Sequence, residues 1–427
     1  MARLTGYRPR IIDAELDVLS TGISALALEG AKAVGKTATA AERASSVFEL
    51  DRPEVAALAA ADPDRLLAAE PPVLLDEWQR VPALWDLVRR AVDDGADHGT
   101  FWLTGSIASE NPGTHTGAGR IVRLRMRPLA LAERDLVEPT VSLAALLRGE
   151  QPAIRGASSI ALSDYVQEIV GSGFPAIRLL APRLRRAQLD GYLERLIDRD
   201  FRDAGHAVRN PSALRRWMNA YAAATSTTAS YDSIRDAATA GEGNKPPKTS
   251  TQAYRDTLEQ LWILDPTPGW LPSRNHLHEL GTSPKHHLAD PALAAQLLGL
   301  DAAALLRGGG PNQSALHDGT FVGALFESLV TMSVRVYAQA AEARVSHLRL
   351  HRGEHEVDLI VERADQRIVA LETKLSSTVT DDDVKHLLWL RRVIGADLLD
   401  AAVITTGTDA YRRPDGIAVI PAALLGP

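Results

Sequence analysis

The sequence predicts an α/β protein in three parts: a parallel-sheet domain over about residues 1–140, a helical middle over 155–310, and a second α/β domain over 311–427. Three observations carry this. Short apolar runs alternate with helical patterns along the first part, as in strands and helices wound into a parallel sheet. In the middle, apolar residues recur at helical spacing instead. After the break Gly308-Gly309-Gly310-Pro311-Asn312, one helix is followed by three strand-like runs.

Taken in order, Ile23–Leu28 reads as a buried strand, followed by a glycine loop and a helix from Thr37. Val47–Asp51, Val73–Asp76 and Phe101–Thr104 read as further strands with helices between, and Ile121–Leu124 as a fifth. Leu189–Phe201 and Leu214–Ala224 are helical. Ser230–Ala240 and Thr249–Leu264 fit the two helices of a helix-turn-helix, separated by the loop Gly241–Pro247. The last part opens with a helix near Gly323–Tyr337, and its strand-like runs lie around His347–His351, Val357–Val361 and Ile368–Leu371.

With 427 residues and 45% hydrophobic composition the chain buries a sizeable core, divided among two or three domains. The absence of cysteine excludes disulfides, thiolate zinc sites and cysteine nucleophiles. A net charge of −7 argues against a surface coated in basic residues but leaves room for a local basic patch. Met1–Tyr7 lacks the apolar core of a signal peptide, and no uninterrupted apolar run is long enough to cross a bilayer. A cytoplasmic location without a membrane partner follows by elimination.

Gly30-Ala31-Lys32-Ala33-Val34-Gly35-Lys36-Thr37 fits G-x-x-x-x-G-K-[ST] at every fixed position. The glycines let the backbone wrap phosphates, so that amides of Gly30, Ala33, Val34 and Gly35 face inward as an anion nest. Lys36 brings a positive charge to the β- and γ-phosphates, and the Thr37 hydroxyl ligates Mg²⁺. Val73-Leu74-Leu75-Asp76-Glu77 is an apolar strand ending in two acids. Asp76 is suited to support the metal shell, and Glu77 to orient and deprotonate an attacking water. Ser106, after the next strand, is placed to sense the γ-phosphate. Arg120, with Arg123, Arg125 and Arg127 behind it, offers candidates for a charge-stabilising finger. Supplied by a neighbouring copy such a finger requires a homo-oligomer; supplied in cis it does not.

The order of these motifs (the glycine loop, L-L-D-E-W-Q, L-T-G-S, then G-R followed by R-P-L-A-L-A-E) resembles the AAA+-type ATPases of bacteria and archaea fused to a C-terminal domain of unknown function. The resemblance implies a winged-helix segment in the middle and a C-terminal domain similar to PD-(D/E)xK nucleases, a restriction-endonuclease-like α/β fold. The residues themselves show no base-recognition motif, so ATP rather than GTP as the nucleotide is what the resemblance implies. Tyr192-Leu193-Glu194-Arg195 with Asp200, Gly323-Ala324-Leu325-Phe326-Glu327 and the stretch Glu356–Ser376 match its later landmarks. An insertion at 241–248 departs from the family's tight helix-turn-helix connection, so DNA reading by this segment is not implied.

The residues themselves also suggest a second metal site. Asp358 lies in the apolar run Val357–Val361, and Glu372 and Lys374 are two apart on the next strand, facing one side. Asp358 and Glu372, completed by Glu327 on the preceding helix, would hold Mg²⁺ through oxygen ligands, with Lys374 stabilising charge. Acid-x-lysine on a strand is equally common as a plain ion pair. Arginines from Arg178 to Arg216, and Lys245, Lys248 and Arg255 near the second helix of the helix-turn-helix, are candidate DNA contacts, though an ordinary solvated face fits as well. His276, His278, His286 and His287 read as surface or loop histidines. The expectation is therefore ATP hydrolysis with Mg²⁺, coupled to DNA recognition or processing. The alternative is a nucleotide-gated binding module whose nuclease-like domain is inert.

Overall fold

The computed structural model describes residues 6–107, 118–206, 208, 210–239, 245–272, 282–307, 319–350 and 353–427. The break at 308–312, most of the loop at 241–247, His276, His278 and His351 lie outside the described residues. The chain forms two compact units: Met1–Arg127 with Thr257–Ile263, and Pro128–Asp256 with Leu264–Pro427.

The first unit is built on a five-stranded parallel sheet of order β2-β3-β4-β1-β5. Its strands are β1 (Ala25–Glu29), β2 (Ser46–Glu49), β3 (Val73–Asp76), β4 (Phe101–Gly105) and β5 (Ile121–Arg125). Every residue of β1, β3 and β4 is buried, which is why they read as continuous apolar runs rather than alternating ones. Helices α1 (Ile12–Leu19), α2 (Lys36–Ala41), α3 (Pro53–Ala61), α4 (Pro63–Leu67) and α5 (Ala83–Asp93) connect or cover them. On α5, Leu84, Trp85 and Val88 share one buried face, and Trp85 packs on Trp78 with ring centroids 4.6 Å apart. Because all strands run the same way, Glu29, Asp76 and Gly105 finish at one edge, where open parallel sheets bind ligands.

The second unit carries a mixed eight-stranded sheet and most of the helices. The strands are β7 (Gly156–Ala157), β8 (Gly269–Trp270), β9 (Arg344–Arg349), β10 (Glu356–Glu362), β11 (Ile368–Lys374), β12 (Leu398–Thr405), β13 (Asp409–Arg412) and β14 (Ala418–Pro421), in the order β7-β13-β14-β12-β11-β10-β9-β8. β9, β10 and β11 are antiparallel neighbours, and β11, β12 and β14 run parallel. A separate parallel pair joins β6 (Val141–Ser142) to β15 (Leu425–Gly426). Leu348, Val357, Ile360, Ala370 and Val403 from the sheet meet Val384, Leu387 and Leu390 of the helix Asp381–Ile394 in one core. That helix is well specified: Thr380 and Asp383 form a capping box, acids fill its first turn, Arg391 and Arg392 its last, and Gly395 ends it at φ +56°.

The helix Gly319–Ala340 contains a segment, Phe321–Ala340, long and apolar enough on average to cross a membrane, but Glu327 and Arg335 interrupt it, in keeping with the reading of no uninterrupted apolar run; 78% of its most apolar window is buried inside the unit, as in a core helix. One expectation changes on folding. His286 and His287 lie outside helix and strand, as the loop reading has it, but they are not at the surface. They are 1% and 2% exposed, and His286 Nε2 donates a 2.7 Å hydrogen bond to the Ala229 carbonyl, its ring between those of Tyr221 and Tyr231. Their sequence neighbourhood lacks a helical or strand period, so burial was not legible there.

His347 on β9 is wholly buried, and burial, followed by the Lys285 ammonium, pushes its imidazole down to about 4. An unfolded chain protonates this ring near pH 6.5, so the stability contributed by His347 is full at neutral pH and lost as pH falls toward 4. At about 1.36 kcal/mol per unit the loss is on the order of 3 kcal/mol. The difference in unfolding free energy between wild type and His347→Gln, measured by urea unfolding, should therefore move by that amount between pH 7 and 4. A difference that does not vary with pH would show that the ring is not held neutral.

Candidate active site

The loop after β1 is shaped by backbone conformations that few residues adopt. Gly30 has φ +153° and Gly35 φ +106°, and Ala33 is left-handed at φ +68° despite its side chain. A Cβ on Gly30 would lie 2.2 Å from the Met126 carbonyl oxygen, so only glycine fits beside the chain leaving β5. Arg10, just before α1, braces the loop: its buried guanidinium donates to the Val34 and Arg127 carbonyls at 2.8 Å each. Sequence reasoning missed Arg10, because nothing local marks an arginine that serves a loop more than twenty residues away.

Lys36 opens α2 and is 5% exposed. Its ammonium donates to the Gly30 and Ala31 carbonyls at 2.9 Å. Burial pulls its pKa down to about 8, only partly offset by Glu77 and Asp76. Thr37 donates a 2.7 Å hydrogen bond to Asp76 Oδ1 at the end of β3, and Thr104 on β4 donates to the same oxygen. Burial raises the Asp76 pKa, against the lowering effect of these two hydroxyls. Glu77 follows in the left-handed region at φ +54°, its amide 3.4 Å from Thr104 Oγ1. Its carboxylate accepts from Ser106 Oγ at 2.9 Å and from the Gln79 amide. Gln79 is a second residue that sequence reasoning passed over, though it lies in the quoted run L-L-D-E-W-Q.

Lys36, Thr37, Asp76, Glu77 and Ser106 thus come together at one edge of the sheet. A desolvated ammonium bonded only to carbonyls, beside a hydroxyl and two acids, is the donor set that a triphosphate with Mg²⁺ requires. Residues Gly30, Ala33, Val34, Gly35, Lys36 and Thr37 would hold phosphate, and Thr37 with Asp76 the metal.

Arg120 is placed elsewhere. It precedes β5 at the edge of the sheet opposite the loop, roughly 17 Å away along a five-residue strand, and its guanidinium pairs with Asp93 at 2.7 Å. In its own chain it does not reach the phosphate loop; alternation along a strand tells which face a residue takes, not which end of the sheet. Arg123 pairs with Glu29 at 2.7 Å, and Arg125 lies over the Trp262 ring at 4.6 Å.

In the second unit the other predicted residues also converge. Asp358 on β10, Glu372 and Lys374 on β11, and Glu327 on the helix Gly319–Ala340 interact with one another. Lys374 pairs with Glu372 at 2.8 Å. The space among the acids, however, holds a residue that sequence reasoning did not consider: Lys285, 1% exposed, whose ammonium lies 2.8 Å from Glu327, 2.9 Å from Asp358 and 3.3 Å from Glu356. Burial opposes charge on Lys285, but Asp358, Glu327 and Glu356 outweigh it and raise its pKa. The Asp358 carboxyl is held down at about 2 against its burial, chiefly by Lys285, whereas burial and Asp358 push Glu327 and Glu372 up to about 8. No group of three or more acids or histidines among the described residues is arranged to hold a metal ion. As folded, this cluster does not fit Mg²⁺.

Several of the candidate DNA contacts are paired within the unit. Lys248 pairs with Asp232 at 2.8 Å and Lys245 with Asp236, while Arg178 and Arg134 share Glu168 at 2.6 and 3.0 Å. Exposed pairs such as the first two are weak and open to competition by phosphate.

The close approach at Gly30 gives a direct test of the loop. Gly30→Ala should lower the affinity for an ATP analogue at least about tenfold, because the loop must move off Met126, with the far-ultraviolet circular dichroism unchanged. Wild-type affinity in a folded variant would show that this approach is not needed for binding.

Comparison with known proteins agrees over the first unit. Residues 23–134 match the AAA domain family, residues 162–304 a domain of unknown function (DUF8612), and residues 322–425 a second domain of unknown function (DUF4143). A Walker-type ATPase of Pyrococcus abyssi is similar in structure at 15% identity, with a TM-score of 0.40, over 69% of this chain and 97% of that one. No curated protein sequence matches the chain. Residues 23–134 of the amino-terminal region are thus similar to the AAA domain family, and their parallel sheet and glycine loop fit a P-loop NTPase fold.

Proposed function

We propose that the chain hydrolyses ATP with Mg²⁺ at the edge of the first unit's sheet and couples nucleotide state to recognition of DNA or a partner protein by the second unit. The observation that carries the reading is the single hydrogen-bonded set Thr37–Asp76–Thr104 beside Glu77–Ser106, facing the buried Lys36 ammonium. Bound Mg²⁺ would neutralise charge on the β- and γ-phosphates. Lys36 gives up its two carbonyl contacts to pair with phosphate oxygens. Glu77, fixed by Ser106 and Gln79, orients a water and takes its proton, while Ser106 lies where the γ-phosphate is sensed.

For the second unit, one observation favours the alternative of an inert nuclease-like module over a DNA-cleaving one: the Lys285 ammonium already stands among the acids that would bind metal. The coupling to DNA rests on the resemblance and on exposed lysines whose ion pairs are weak.

Phosphate release from ATP and Mg²⁺, with and without duplex DNA, tests the main claim. Glu77→Gln should bind ATP normally but turn over about 100-fold more slowly or worse, and Lys36→Ala should lose binding. Equal turnover in wild type and Glu77→Gln would remove Glu77 from the base role. For the second unit, wild type and Asp358→Ala should both leave supercoiled plasmid intact across Mg²⁺ and Mn²⁺; nicking that Asp358→Ala abolishes would reverse that reading.

A further inference from the structure

We propose that Lys285 is the resident cation of the acidic cluster in the second unit, its ammonium standing where a divalent ion would otherwise be held. The inference deepens the inert-module reading and rests on it.

Three features support the assignment. The first is stoichiometry: an ammonium has three N–H donors, and three carboxylates surround this one, Glu327 at 2.8 Å, Asp358 at 2.9 Å and Glu356 at 3.3 Å. Two of the acids have a cation of their own, Lys374 on Glu372 at 2.8 Å and Arg349 on Glu356 at 3.0 Å, so Lys285 is left chiefly to Glu327 and Asp358. The second is that Asp358 has no oxygen to spare. Oδ1 takes Lys285, and Oδ2 takes the Thr373 amide at 2.9 Å and its hydroxyl at 2.7 Å. Among the described residues, Glu372 Oε2 is the one buried carboxylate oxygen of the cluster without a partner. A divalent ion binding here would have to compete for oxygens already engaged by Lys285, Thr373 and Lys374, because both oxygens of Asp358 and one of Glu372 carry hydrogen bonds.

The third is anchoring. Lys285 is not a surface side chain folded inward. Its backbone pairs with Thr267 in both directions, at 2.8 and 2.9 Å, which fixes the side chain's root beside the sheet. A divalent ion entering the cluster must therefore displace a buried ammonium from partners it cannot easily leave. The cluster ties the Thr267–Lys285 pair, the helix Gly319–Ala340 and β10 together without a metal.

Titration calorimetry of the full chain with Mn²⁺ alone, no nucleotide present, tests the assignment. Wild type and Asp358→Asn should give the same isotherm, whereas Lys285→Ala should gain a site at least about tenfold tighter than anything in wild type. That site should disappear again in the double variant Lys285→Ala/Asp358→Asn. A wild-type site that Asp358→Asn abolishes overturns the inference, as does a folded Lys285→Ala with no gain. Should Lys285→Ala not fold, the comparison of wild type with Asp358→Asn still decides. Wild type that binds Mn²⁺ through Asp358 yet nicks no plasmid would sink this assignment and leave the inert-module reading standing.

Discussion

The carboxylate of Asp76 is the point on which the nucleotide site depends. It is 6% exposed, and a buried carboxylate is costly unless its oxygens are hydrogen-bonded. Here the hydroxyls of Thr37 and Thr104 supply those bonds. One side chain thereby ties the start of α2 to the ends of β3 and β4, the three elements whose alignment fixes where phosphate, metal and water would meet. The register of the sheet supports it, since Asp76 pairs with Thr104 and Thr104 in turn with Leu28 of β1. Glu77 is the cost of this arrangement: the strand ends so abruptly that its backbone turns left-handed, a strain of order 1–3 kcal/mol for a side chain other than glycine.

How much of this was legible in the sequence follows from what is local. The glycine loop, the acids closing β3 and the five strands of the first sheet could be read because each is a pattern within a few consecutive residues. β7 and β8, two residues long, offer no such pattern and exist only because a neighbouring strand pairs with them. Lys285 is 42 residues from Glu327 and 73 from Asp358, so no spacing rule brings it to the acids. Arg10 and Gln79 were passed over for a related reason. An arginine that donates to two carbonyls, or a glutamine that holds a carboxylate, looks in sequence like any polar surface residue. Arg120 shows the opposite failure, where a real strand pattern was read but the end of the sheet it occupies was not.

The two buried lysines give the clearest account of what each half of the chain is built to do. Lys36 and Lys285 are both nearly inaccessible, and both lie close to carboxylates. Lys36 nevertheless spends its hydrogen bonds on two neutral carbonyls, and burial drags its pKa down to about 8. Lys285 spends its own on carboxylates, and its pKa rises. A desolvated cation without an anionic hydrogen-bond partner is electrostatically incomplete, and a phosphate oxygen completes it. A desolvated cation with three acids around it is already complete and has little to gain from a ligand. By this argument the first unit is organised to acquire charge from outside, and the second has settled its charges internally. On the proposed reading, nucleotide chemistry belongs to the sheet edge around Asp76, while the acidic cluster around Asp358 would serve to hold the second unit in shape.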